Sequence, residues 1–162
     1  RPATAGDLVT RVRGLIALHL GQRPVTLALN AAELNLWTRS LLRRLAEDGM
    51  KFAVVSSSRN AKAVLHAAGL EDWFPVVVDG ALAAREHIAG KPAPDTFQHA
   101  AALLGEPDAR CVVVEDAISG VQAGAAGGFG LVIGVDRGAG GAELRAAGAD
   151  IVVKDLAELV DA

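Results

Sequence analysis

Two hydrophobic periods alternate along this chain. Short runs rich in β-branched residues recur at 25–29 (VTLAL), 51–56 (KFAVVS), 75–79 (PVVVD), 111–115 (CVVVE), 131–135 (LVIGV) and 150–153 (DIVV). Between them lie amphipathic stretches at 33–47, 60–68, 94–104, 118–126 and 143–147. Nearly all-apolar strands separated by helical segments predict βαβ units and a parallel sheet buried on both faces. Right-handed crossovers then place helices on both sides of that sheet, giving three layers. Gly49, Gly69, Gly105 and Gly148 each follow a predicted helix as its stop. One more helix is predicted over 7–20, with Leu8, Val12, Leu15, Ile16 and Leu20 near helical spacing. It either covers the domain's own sheet or docks to a second domain or subunit. No repeat or low-complexity linker divides the chain, so residues 1–162 are expected to form one α/β domain, with a helix in 1–22 and a core over 23–162.

Composition narrows the class. The 162 residues carry enough Ala, Val and Leu for a full core and suit Val-rich strands covered by Ala/Leu helices. A net charge of −3 with mixed signs gives no basic footprint for nucleic acid and no polybasic membrane anchor. No apolar run reaches the roughly 18 residues of a membrane span, and no signal peptide is visible. The single cysteine, Cys111, lies in an apolar run, which fits a reducing, cytoplasmic setting. The chain opens on Arg1, so further sequence is expected upstream.

Ligands of open parallel sheets bind beyond the carboxyl ends of the strands, where strand order reverses. Three such ends carry chemistry. Strand 51–56 delivers Ser56, Ser57 and Ser58, then Arg59 and Asn60 opening a helix; hydroxyls and unpaired N–H groups there suit a phosphate, while plain N-capping is the structural alternative. Gly90-Lys91-Pro92-Ala93-Pro94-Asp95 precedes the next helix, and its prolines hold Lys91 on a stiff segment where its ammonium can neutralise a phosphate or a nearby carboxylate. It is no P-loop, since Arg85 stands where a glycine is needed and Pro92 replaces the Ser/Thr. Strand 111–115 ends in Glu115-Asp116, two carboxylates that are costly to bury unless paired with a cation and that suit Mg²⁺ bridging to a phosphate. An Asp favoured by a helix dipole needs no metal and is the alternative there.

In order, spacing and location these segments resemble the haloacid dehalogenase (HAD) superfamily, specifically its β-phosphoglucomutase-like hydrolases and mutases. VVSSSRN resembles that family's second motif, GKPAPDTF its third and VVVEDAISGVQAG its fourth, and the likeness runs from about Leu42 to Leu159. The resemblance implies a three-layer Rossmann-like core acting on phosphorylated small molecules, sugar phosphates above all, with Mg²⁺. It implies that Ser56 holds the phosphoryl group beside Ser57, Arg59 and Asn60, that Lys91 neutralises charge, that Asp116 binds the metal and that Glu115 binds or supports it.

The first motif departs from the family. An Asp-x-Asp is needed at the tip of the first strand, and none occurs in this chain. Strand 25–29 instead leads into Asn30-Ala31-Ala32-Glu33, which puts Asn30 at the nucleophile position and Ala32 at the acid–base position. An amide is a poor nucleophile and a methyl group transfers no proton. Loss of a nucleophile removes on the order of 10⁴–10⁶ in rate in other enzymes. The 30–56 interval holds one helix and a strand, so no helical cap fits. Three readings follow. The chain is a weakly active or inactive phosphohydrolase-like domain. Alternatively it is a docking or regulatory module, since the pattern also resembles the degenerate N-terminal domain of actinobacterial trehalose-6-phosphate phosphatases. In the third reading it is a truncated active hydrolase, with residues 1–40 the tail of a cap whose first strand lies upstream. His19, His66, His87 and His99 show no ligand spacing, Gly138-Ala139-Gly140-Gly141 reads as a turn, and Trp37 and Trp73 are expected to pack.

Overall fold

The computed structural model describes residues 26–29, 42–43, 45–47 and 49–154. The helix expected over 7–20 and the whole question of a cap between the first two strands lie outside the described residues. In chain order the elements are β1 (Thr26–Leu29), β2 (Lys51–Val55), α1 (Ala61–Ala67), β3 (Val76–Val78), α2 (Gly80–Arg85), α3 (Asp95–Leu104), β4 (Cys111–Glu115), α4 (Ile118–Ala126), β5 (Leu131–Val135), α5 (Gly141–Ala146) and β6 (Ile151–Val153). Residues 42–43 and 45–47 are helical as well, at the end of the stretch predicted over 33–47.

The six strands form one sheet in the order β3-β2-β1-β4-β5-β6, and every pairing is parallel. This is the doubly wound arrangement, with its switch of direction at β1. Because side chains alternate across a strand, the Val-rich runs feed two separate cores. Phe52, Val54, Val112 and Val114 join Leu42, Leu45, Leu65 and Phe74 on one face. Ala53, Val55, Val113 and Val132 join Phe97, Leu104, Val121 and Leu144 on the other. All five residues of β4 and of β5 are buried. Each fully buried valine stabilises the fold by about 1.5 kcal/mol or more.

Gly49, Gly69, Gly105 and Gly148 all have positive φ. At Gly105 the left-handed residue (φ 73°) ends α3, a conformation that costs any residue with a Cβ. Trp73 packs as the sequence suggests, Trp37 lies outside the described residues, and Phe74 meets the Phe52 ring edge-on at 6.4 Å between centroids. Two helices differ from expectation. α5 starts at Gly141, two residues early, and α2 was not foreseen at all. α2 is six residues long, too short for a hydrophobic period to show, and its start is fixed by Asp79, whose Oδ1 accepts the Leu82 N–H at 2.8 Å.

Candidate functional site

The register of the sheet locates the site. Leu29, the last residue of β1, pairs with Val54 on β2 and with Val114 on β4. The next residues on those flanking strands are Val55 and Glu115, and one side chain reaches both. The Lys91 ammonium donates to the Val55 carbonyl at 3.2 Å and pairs with Glu115 Oε1. It therefore bridges β2 and β4 one residue beyond the positions that pair with Leu29, the end of β1. Lys91 also lies 4.9 Å from the centroid of the Phe97 ring, whose π face favours a cation. The side chains of Lys91 and Glu115 are 8% and 1% exposed, so this is a buried ion pair.

Glu115 is held from all sides. Its Oε2 accepts the N–H groups of Asp116 and Ala117, both at 3.1 Å. On its far side Gly120, in the first turn of α4, comes so close that a Cβ there would overlap the carboxylate carbon. Asp116, next along the chain, is half-buried at the strand tip. The two adjacent carboxylates thus differ: Glu115 is engaged in the pair with Lys91 and in backbone contacts, and Asp116 is the more exposed of the two.

The β2 side is built differently. Ser56 N–H continues the sheet to the Val78 carbonyl at 2.9 Å, and Ser56 Oγ accepts the Ser58 N–H at 3.2 Å. Ser58 Oγ accepts the Asn60 N–H at 3.1 Å. Ser56 is half-buried, and Ser57, Arg59 and Asn60 are exposed. The Asn60 side chain makes no cap to α1, because Asn60 is not in the extended conformation that a capping side chain requires (φ −104°, ψ 10°). The loop is clamped from below by α2. Gly80 N–H donates to the Ser58 carbonyl at 3.0 Å, and a Cβ on Gly80 would overlap the Ser57 carbonyl oxygen.

Sequence reasoning missed Asp79, Gly80 and Gly120. Asp79 had a legible signal, an acid three residues before an apolar residue in a short Ala-rich run. The two glycines had none, since neither has the positive φ that marks a turn. Asn30 and Ala32 lie outside the described residues. Of the histidines, His66 pairs with Glu71 at 2.6 Å and His99 with Glu86 at 3.4 Å. Of the glycine run at 138–141, Gly141 opens α5 and the rest is a turn closed by Asp136, whose Oδ1 accepts the N–H groups of Gly138 (3.1 Å) and Gly140 (3.0 Å). Those donors, Gly138 first and then Gly140, hold the Asp136 carboxyl below its ordinary 3.8.

A divalent cation finds an incomplete donor set here. Among the described residues no group of three or more His, Cys, Asp or Glu side chains could hold a metal. Glu115 is engaged by Lys91 and two amides, and Asp116 is the half-buried carboxylate next to it. These residues suit an ion that arrives with a phosphate and keeps its waters, and not one caged by protein alone.

Residues 13–128 match the model of a family described as haloacid dehalogenase-like hydrolase. The chain belongs to that family. Over 126 residues it is 49% identical to a β-phosphoglucomutase of Mycobacterium bovis, a match covering 76% of this chain and 48% of the relative. It is also 40% identical over 127 residues to a trehalose-phosphate phosphatase of Mycobacterium leprae, covering 76% of this chain and 28% of that one. The crystal structure of a β-phosphoglucomutase from Clostridium difficile superposes with a TM-score of 0.66 at 26% identity, over 81% of this chain and 54% of the other. The chain thus spans about half the length of the β-phosphoglucomutases it matches. The haloacid dehalogenase-type fold expected from the sequence stands. Among the described residues no helix is long and apolar enough to cross a membrane.

Proposed function

We propose that this chain is a phosphate-binding domain of the haloacid dehalogenase family, directed at phosphorylated sugars and with little or no turnover of its own. The observation that carries the reading is the Lys91 ammonium bridging Val55 and Glu115 immediately beyond β1. A phosphoryl group at that point would meet the Ser56 hydroxyl, whose proton is available because its oxygen is the acceptor for Ser58 N–H. Arg59, exposed on the same loop, adds a planar donor for phosphate oxygens, beside Ser57 and Asn60. Asp116 would hold a Mg²⁺ brought with the phosphate, and the bound ion would neutralise phosphoryl charge. Asn30 and Ala32, where the family needs its two aspartates, supply neither a nucleophile nor a proton.

The test is a phosphatase assay on the purified chain with Mg²⁺ and a panel of sugar phosphates, beside an Asn30→Asp, Ala32→Asp double variant. The expected result is no measurable turnover by the native chain, and phosphate binding that Ser56→Ala weakens. Robust turnover by the native chain would sink the inactive reading. Activity gained in the double variant alone would show that Ser56, Lys91 and Asp116 stand in working positions.

A second reading is favoured by the match to the trehalose-phosphate phosphatase, in which this chain accounts for 28% of the relative's length. In that reading the domain serves as a docking or regulatory module for a sugar-phosphate enzyme. The stretch 7–20, whose apolar spacing predicts a helix, would be its contact surface. Co-purification of such an enzyme with the native chain, lost on Leu15→Glu, is the outcome that supports it.

A further inference from the structure

We infer that Gly120 is a positioning residue of the anion site, acting on Lys91 through Glu115. The inference rests on the site reading above and adds to it the element that fixes the ammonium in place. Gly120 is in the first turn of α4, with a backbone conformation open to any residue, so its lack of a side chain serves space and not flexibility. The space is filled by the Glu115 carboxylate: a Cβ on Gly120 would overlap its carbon and both its oxygens. With Gly120 behind it, Lys91 before it and the Asp116 and Ala117 amides at its edge, Glu115 has one place to lie. Any side chain at position 120 pushes the carboxylate out of that place. The ammonium then loses its carboxylate partner and keeps only the Val55 carbonyl and the Phe97 ring.

The same helix supplies a control. Gly124, one turn later and also buried, faces the same sheet, but a Cβ there would meet Val113 and Val132 methyl groups at 3.2 Å. Those are packing contacts with no link to Lys91. Gly124→Ala therefore tests what crowding α4 against the sheet does by itself.

The experiment follows the side-chain ammonium of Lys91 by NMR in the ¹⁵N-labelled chain, assigned by its loss in Lys91→Met. A buried, paired ammonium exchanges its protons slowly enough to be seen. Gly120→Ala is expected to abolish this signal and Gly124→Ala to keep it. The stability lost on Gly120→Ala, measured by urea unfolding, is expected to shrink in a Glu115→Asp background, where the shortened acid leaves room for a methyl group. A Gly120→Ala chain that fails to fold alone but folds with Glu115→Asp supports the inference equally. The inference is overturned if the Lys91 signal survives Gly120→Ala, if Gly124→Ala also removes it, or if Gly120→Ala costs the same in both backgrounds. Titration with inorganic phosphate separates this from the site reading. A native chain that binds no phosphate yet shows the Gly120–Glu115 coupling refutes the phosphate site and leaves the positioning role intact.

Discussion

The two sides of the site are held by opposite means. On the β4 side a buried charge pair, Lys91 with Glu115, is locked by side-chain contacts and a glycine. On the β2 side an exposed serine loop is held by main-chain N–H groups donating to carbonyl and serine hydroxyl oxygens, and by the start of α2. A buried ion pair adds little net stability as a pair, but losing one partner strands the other without water. An exposed loop whose donors can turn to solvent tolerates change far better. A change on the β4 side is therefore felt by the whole fold, whereas the exposed serines of the β2 side can be altered at little cost to it.

Breaking the pair should have the largest effect. Lys91→Met or Glu115→Gln is expected to cost about 3–5 kcal/mol in urea unfolding, because each leaves an uncompensated buried group. A loss of under 1 kcal/mol would mean that the pair is wet and the contrast false. Next comes Gly80→Ala, whose methyl group must displace the Ser57 carbonyl. Main-chain atoms yield less readily than side chains, so a cost of about 1–3 kcal/mol is expected, together with weaker phosphate binding. Calorimetric titration with inorganic phosphate reads the second quantity. Ser56→Ala should cost about 1 kcal/mol or less in stability, the worth of one half-exposed hydrogen bond, while weakening phosphate binding. Equal losses of stability from Ser56→Ala and Lys91→Met would erase the distinction between the two sides.

The smallest effect sits beyond both, at the turn after β5. The Asp136 carboxyl titrates lower in the folded chain than in the unfolded one, so its contribution is present above about pH 4. It fades as the pH falls through the depressed folded value. Asp136→Asn should lower stability at neutral pH and converge with the native chain in acid, which thermal unfolding across pH would reveal. Parallel curves would deny the Gly138 and Gly140 contacts any role in the titration.

Much of this was legible in the residues themselves. β4, β5 and α4 have the predicted bounds because their apolar runs are continuous and end in abrupt polar or glycine breaks. Half of the ion pair was visible from each side: Lys91 as a stiffly held cation, and Glu115 as an acid too costly to bury alone. Their partnership was not, since it joins positions 24 residues apart through the topology of the sheet. Gly80 and Gly120 stayed hidden for a related reason. In a sequence a glycine reads as a turn or a helix stop, and close approach to a neighbour can be seen only when the neighbour is in place. Six-residue α2 fell below the length at which a helical period declares itself.

The central place of β1 has a consequence for assembly. It is the first strand in the described chain, yet it pairs with β2 on one side and β4 on the other and thereby joins two partial sheets, β3-β2 and β4-β5-β6. The β4–β6 portion is stitched by nearby crossovers, whereas the β1–β4 pairing must close a long stretch of chain, an entropic cost met before any contact repays it. Lys91 touches both flanks of β1, so its binding geometry exists only once that strand is seated. A phosphate-bearing ligand held there would favour the assembled sheet, raising the unfolding midpoint with the logarithm of its concentration.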